Sequence, residues 1–191
     1  MLKRKAVQIE TQTKSWGKVK GLEKRLQAAA ELTLAALPST LAPAAAKAQA
    51  TLLLTTDAAV QKLNKEFRGK DKPTNVLSFP QFDRKDLGKM ARCIGDIYVG
   101  DIAVAYGTVV KEAKAEGKSE LDHLTHLLIH GLLHLFGYDH DTNSKASQME
   151  RLEKQIMATL GLPDPYEVIV TELRVCTHNF KEHCLSGKGK G

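Results

Sequence analysis

The chain has 191 residues, 42% of them hydrophobic, which suffices for one domain with a real core, placed here at residues 1–166. A net charge of +6 and a pI of about 9.2 favour polyanionic partners such as RNA, DNA or a ribosomal surface, although part of the excess lies in the two termini. No apolar run reaches the ~18 residues of a membrane span, no apolar signal region follows the basic start, and three cysteines (Cys93, Cys176, Cys184) make no disulfide framework, so a cytoplasmic protein is expected.

In chain order, Ala6 to Ile9 reads as a first strand. Val19 to Leu37 carries Val19, Leu22, Leu26, Ala29, Ala30 and Leu37 at helical spacing, and Pro38, Ser39, Thr40 and Pro43 break that helix. Ala48 to Thr55 reads as a buried strand. Asp57 is suited to cap a helix over Ala58 to Phe67. A charged loop from Arg68 to Asn75 leads into a short strand, Val76 to Phe79, ended by Pro80. Gln81 to Arg92, polar and containing Gly88, reads as a loop, and Ile94 to Val99 as a further strand. Asp101 is suited to cap a helix reaching about Glu116. Two more helices are expected, from about Glu120 to Phe136 and from about Ser144 to Leu160, the latter with Met149, Leu152, Ile156 and Leu160 on one face. About four short strands mixed with about five helices give an α+β domain. The segment 167–191 reads as a loosely ordered tail. Its Cys176, His178, His183 and Cys184 are metal-ligand types, but their spacing matches no standard zinc pattern.

The most informative segment is His130-Gly-Leu-Leu-His-Leu-Phe-Gly-Tyr-Asp-His140. On a helix, residues four apart differ by about 40° of rotation and roughly 6 Å of rise, so His130 and His134 share one face. Gly137 permits the left-handed turn that ends a helix, and His140 then swings back toward the first two rings. Three protein ligands and one open position are how a catalytic zinc site is built, so one zinc ion per chain is expected on the helix and the turn after it. The ligand spacing is that of the metzincin protease signature H-E-x-x-H-x-x-G-x-x-H. The glutamate that serves those proteases as general base is replaced by Gly131, which points to hydrolysis of something other than a peptide. His126, four residues before His130, is a candidate to hold a ligand's second nitrogen. His123 reads as a helix-surface residue.

A second constellation lies in residues 63–80 and the lysine just before them, where Lys62, Lys65, Arg68, Lys70 and Lys72 precede Pro73. From a helix end, Arg68 could reach into a cleft and grip a phosphate with its guanidinium fork, with Lys70 and Lys72 guiding the substrate strand. The same residues read equally as a solvated basic loop beside a helix C-terminus, which the helix dipole also favours.

Three blocks in order, LNKEFRGKDKPTNVLSFP (63–80), IGDIYVGDI (94–102) and HGLLHLFGYDH (130–140), make the chain similar to the bacterial YbeY family of metal-dependent endoribonucleases. The resemblance covers roughly residues 48 to 165. It implies a small, mostly parallel sheet with helices packed on it. It implies zinc on His130, His134 and His140, a functional arginine at Arg68, and an essential role for His130. It also implies cleavage of single-stranded RNA, processing of the 3′ end of 16S ribosomal RNA, and ribosome quality control. The implied partners are the small ribosomal subunit and the GTPase Era. The tail from Glu167 has no counterpart in that pattern.

In the mechanism these residues suggest, a metal-activated nucleophile attacks phosphorus while Arg68 stabilises the developing charge. Asp139 and Asp96 are candidate proton relays. Two other classes share the same residues: a metal hydrolase of a non-RNA substrate, and a noncatalytic small-subunit assembly factor. In the second, zinc would be structural and closed by a tail cysteine.

Overall fold

The computed structural model describes residues 5–90 and 95–167. Four strands, β1 (Val7–Thr11), β2 (Ala48–Thr55), β3 (Val76–Pro80) and β4 (Ile97–Ala105), form one sheet in the order β1-β2-β4-β3. β1, β2 and β4 run parallel, and β3 joins the edge antiparallel to β4. The helices are α1 (Leu22–Ala35), α2 (Ala42–Ala45), α3 (Asp57–Arg68), α4 (Arg84–Met90), α5 (Tyr106–Ala115), α6 (Glu120–Leu135) and α7 (Asn143–Thr159). This is the expected α+β arrangement with a mostly parallel sheet, enlarged by two short helices. The tail residues of metal-ligand type, Cys176, His178, His183 and Cys184, and also Cys93, lie outside the described residues.

Two apolar clusters flank the sheet. The larger gathers Leu26 and Ala30 of α1, Leu128 and Leu132 of α6, and Met149 and Ile156 of α7 against Ile102 and Val104 of β4. The smaller sits under α3, where Val60 meets Leu77, Ala103 and Ala105. Strands in such a sheet are buried on both faces over part of their length, hence the near-continuous apolar run of β2.

Several boundaries differ from the sequence reading, each for a physical reason. β4 runs to Ala105 and takes in Asp101, which therefore caps no helix. Its pairing with β2 skips a residue between Tyr98 and Gly100, a bulge that breaks the two-residue alternation and hides the strand in the sequence. The segment 84–90 is a helix because Leu87 is fully buried, with Phe82 and Met90 packed beside it. Pro43 sits at the start of α2, where a missing N–H costs nothing. No helix among the described residues is long and apolar enough to cross a membrane.

Asp57 does not cap its own helix. Thr56 caps α3, its hydroxyl accepting from the Ala59 N–H at 3.2 Å. The Asp57 carboxylate instead accepts from the N–H groups of Gly107 (2.8 Å) and Thr108 (2.7 Å), and from the Thr108 hydroxyl, at the N-terminus of α5. Ala105, the residue before α5, offers no side-chain acceptor. Partial burial pushes the Asp57 pKa up, but these donors outweigh it and hold the carboxyl below its ordinary value. A lowered folded-state pKa contributes stability above the unfolded value, lost as pH falls through the folded one. Asp57→Ala should therefore lower unfolding stability at neutral pH by about 1 kcal/mol. The deficit should shrink in acid, read from urea denaturation at both pH values.

Candidate metal centre and basic cleft

The helix that presents the histidines starts at Ser119, whose hydroxyl accepts from the Asp122 N–H at 3.0 Å. It lies close against β4: a Cβ on Gly131 would stand 2.9 Å from Cγ2 of the buried Ile102. Position 131 thus faces the sheet, and the glutamate of the protease signature has no room there. The helix ends in a left-handed glycine turn, with Gly137 at φ +74°. The Gly137 N–H donates to His134 O (2.9 Å) and the Tyr138 N–H to Leu133 O (3.0 Å), the paired bonds of a Schellman cap. This turn carries His140 back to the helix face.

One ring nitrogen from each of His130, His134 and His140 lies within 4.8 Å of the others. The tautomers of two are set by their partners. His134 Nδ1 donates to Tyr138 O at 2.9 Å, and His130 Nδ1 donates to the Glu153 carboxylate at 2.7 Å. In the neutral tautomers that these bonds select, each Nε2 carries the free lone pair, and the two Nε2 atoms face each other at 3.0 Å. Burial, reinforced by the His130 and His140 rings, pushes the His134 pKa down to about 4, so this imidazole is neutral at physiological pH. Two lone pairs that converge in this way repel unless a cation lies between them. Imidazoles bound tetrahedrally to zinc at about 2.0–2.1 Å hold their nitrogens roughly 3.3 Å apart. The donor set therefore fits a metal ion: three imidazole nitrogens clustered about one point, two of them on rings whose other nitrogen is held from outside.

Glu153, which the sequence reading passed over, does much of that fixing. Its side chain is fully buried and accepts from His130, from His126 Nε2 (3.2 Å) and from the Tyr166 hydroxyl. Burial pushes its pKa up, but the bonds from His126, His130 and Tyr166 outweigh burial and hold it at about 2. Its position was readable as a lone carboxylate on the stripe that buries Met149, Ile156 and Met157. His126 thus acts on the site through Glu153. His123, expected on the surface, is 5% exposed and bonds Glu112 Oε2 at 2.8 Å, because that face of α6 packs on α5. Asp139 lines the cleft beside the histidines, whereas Asp96 bonds Gln49 (2.8 Å) and lines no part of it. Glu150 borders a smaller recess with His130 and His140.

The cleft has a volume of about 750 Å³. It is lined by His130, His134, Asp139 and His140 together with Arg68, Lys70 and Lys72. Gly69, at φ +66°, ends α3 and turns the chain into the basic loop. That loop is ordered by Asn64, which is buried, donates to Lys72 O (2.8 Å) and accepts from the Lys70 N–H (3.2 Å). Asp71 is held by Lys65 (2.6 Å) and Gln61 (3.0 Å). Arg68 reaches across the edge of β3, its Nη2 donating to Ser78 O at 3.4 Å. The two constellations separated by more than fifty residues in sequence therefore share one cleft.

Together the fold and the site define an α+β protein whose three-histidine metal-type cluster shares a cleft with basic residues. The chain belongs to the YbeY family: the family model described as Endoribonuclease YbeY matches residues 8–161. A relative from Rhizobium etli named Endoribonuclease YbeY is 54% identical over 119 residues, covering 62% of this chain and 67% of that protein. One of the same name from Nitrobacter winogradskyi is 50% identical over 62% of each chain. Another, from Allorhizobium ampelinum, is 42% identical over 168 residues, covering 86% of this chain and 96% of that one. The solution structure of TM1509 from Thermotoga maritima, at 22% identity, superposes with a TM-score of 0.48 over 84% of this chain and 99% of that one.

If Glu153 orients His130, Glu153→Gln should weaken zinc binding by about 10- to 100-fold. Competition with a chromophoric chelator measures this, and an affinity equal to the parent's would remove Glu153 from the role.

Proposed function

We propose that this protein is a zinc-dependent, single-strand-specific endoribonuclease that matures the 3′ end of 16S ribosomal RNA and serves ribosome quality control. The observation that carries the reading is the shared cleft, which is lined by three clustered imidazoles together with Arg68, Lys70 and Lys72. Family membership adds the reaction class, since the relatives are named endoribonucleases. The small ribosomal subunit and the GTPase Era are the proposed partners, in the cytoplasm.

His130, His134 and His140 would hold the metal. When bound, a zinc ion supplies Lewis acidity and lowers the pKa of a coordinated water toward about 7. Arg68 keeps one N–H on Ser78 O and presents the rest of its fork to a phosphate, where it stabilises charge that grows as phosphorus is attacked. Lys70 and Lys72, on the loop that Asn64 holds, draw the RNA backbone into the cleft. Asp139 is the cleft carboxylate placed to accept or return a proton. A peptide substrate is disfavoured because the position of the protease base is filled by sheet packing at Gly131.

His134→Ala should lose zinc and RNA cleavage together. Arg68→Ala should keep zinc and lose about 10²-fold or more in cleavage rate. Cleavage of a single-stranded RNA with a ribosomal 3′-end sequence, with metal content measured on the same samples, checks both. Parent-like cleavage by Arg68→Ala would refute the arginine's role, and equal cleavage by all three proteins would reveal a contaminating nuclease and favour an assembly factor.

A further inference from the structure

Phe67 is 60% exposed, the most exposed large hydrophobic side chain among the described residues. Its ring meets Phe79 edge to face, with centroids 5.2 Å apart and planes at 70°. Phe79 in turn packs on the small cluster under α3. The contact anchors the Phe67 ring yet leaves most of it in water. A single exposed phenylalanine is ordinary, but the position of this one is not. Arg68, the next residue, lines the cleft and spans the edge of β3 to Ser78 O. Val76, Leu77, Ser78 and Pro80 of β3 line the cleft, whereas Phe79 does not and packs instead on the cluster of Val60, Leu77, Ala103 and Ala105 under α3. The aromatic pair therefore stands at the rim, beside the basic residues of the cleft.

The charge around it is that of a polyanion site. Lys62, Arg68, Lys70 and Lys72 have no ion-pair partner among the described residues, and of the two neighbouring carboxylates, Glu66 and Asp71, the second is paired with Lys65. A protein partner would need a buried area far larger than one phenylalanine ring, about 1,600 Å² for a stable complex. An unpaired base needs only one aromatic surface beside a cation.

We propose that Phe67, backed by Phe79, is a stacking platform for an unpaired base of the RNA strand whose neighbouring phosphate Arg68 grips. The inference rests on the RNA reading of the cleft and deepens it. In a duplex both faces of a base are already stacked, so a platform at the rim favours single strands.

The test is fluorescence anisotropy of a short, labelled single-stranded RNA with the full chain, across a salt series. Phe67→Leu keeps an apolar side chain but removes the ring, and should weaken binding about 5- to 100-fold. Because no phosphate contact is lost, the slope of log K against log salt should stay unchanged. Phe67→Trp should restore affinity. Arg68→Ala should instead flatten that slope by about 1. Parent-like binding by Phe67→Leu, with the Arg68→Ala effect intact, overturns the platform and leaves the RNA cleft standing. A changed salt slope in Phe67→Leu also overturns it, since the ring would then act by holding the end of α3. No RNA binding by the parent overturns the platform and the RNA reading together.

Discussion

The buried carboxylate of Glu153 is the interaction on which the site depends. A charge taken fully out of water costs several kcal/mol unless it is paired and hydrogen-bonded. Here three donors meet that cost: His126 and His130 from α6, and Tyr166 from the turn after α7. The same bonds lock the tautomer of His130, so that its Nε2 points at His134 and His140. One carboxylate thereby fixes the packing of α7 on α6 and the aim of a ligand.

The second constraint is how near the histidine helix lies to the sheet. Gly131 lets α6 settle against Ile102, and Gly137 turns the chain within two residues of the helix end. The histidines then look out past β3, the edge strand. On that edge α3 ends at Gly69, and Arg68 crosses to Ser78. A metal-type cluster and basic residues line one cleft beside β3, an edge strand, which unlike a central one has an unpaired outer side.

How much of this was legible in the sequence follows from distance along the chain. The three histidines lie in one helix and its turn, so spacing alone brought them together, and the structure places them within 4.8 Å. The residues of β2 and α6 carry dense apolar runs, and their bounds were close to those expected. What failed were features decided by a distant partner. Asp57 and Asp101 look alike as helix caps, and only the fold shows Asp57 reaching fifty residues ahead to α5 while Asp101 lies in a strand. The bulge in β4 hid its alternation. A single buried leucine, Leu87, made a helix of a segment polar enough to pass for a loop. His123 and Glu153 are polar types on helices whose packing partners the sequence does not announce. For Arg68, residue physics left a phosphate grip and a solvated loop equally open, and the fold adds that its guanidinium lines the histidine cleft.

The proposed chemistry requires an open metal centre made by three imidazoles. X-ray absorption at the zinc edge, on the full chain loaded with one equivalent of zinc, tests it most directly. The prediction is three imidazole nitrogens and one oxygen at about 2.0–2.1 Å, with no sulfur. A sulfur neighbour at about 2.3 Å would mean that a cysteine closes the site and that zinc is structural. Failure to retain stoichiometric zinc would contradict the centre itself.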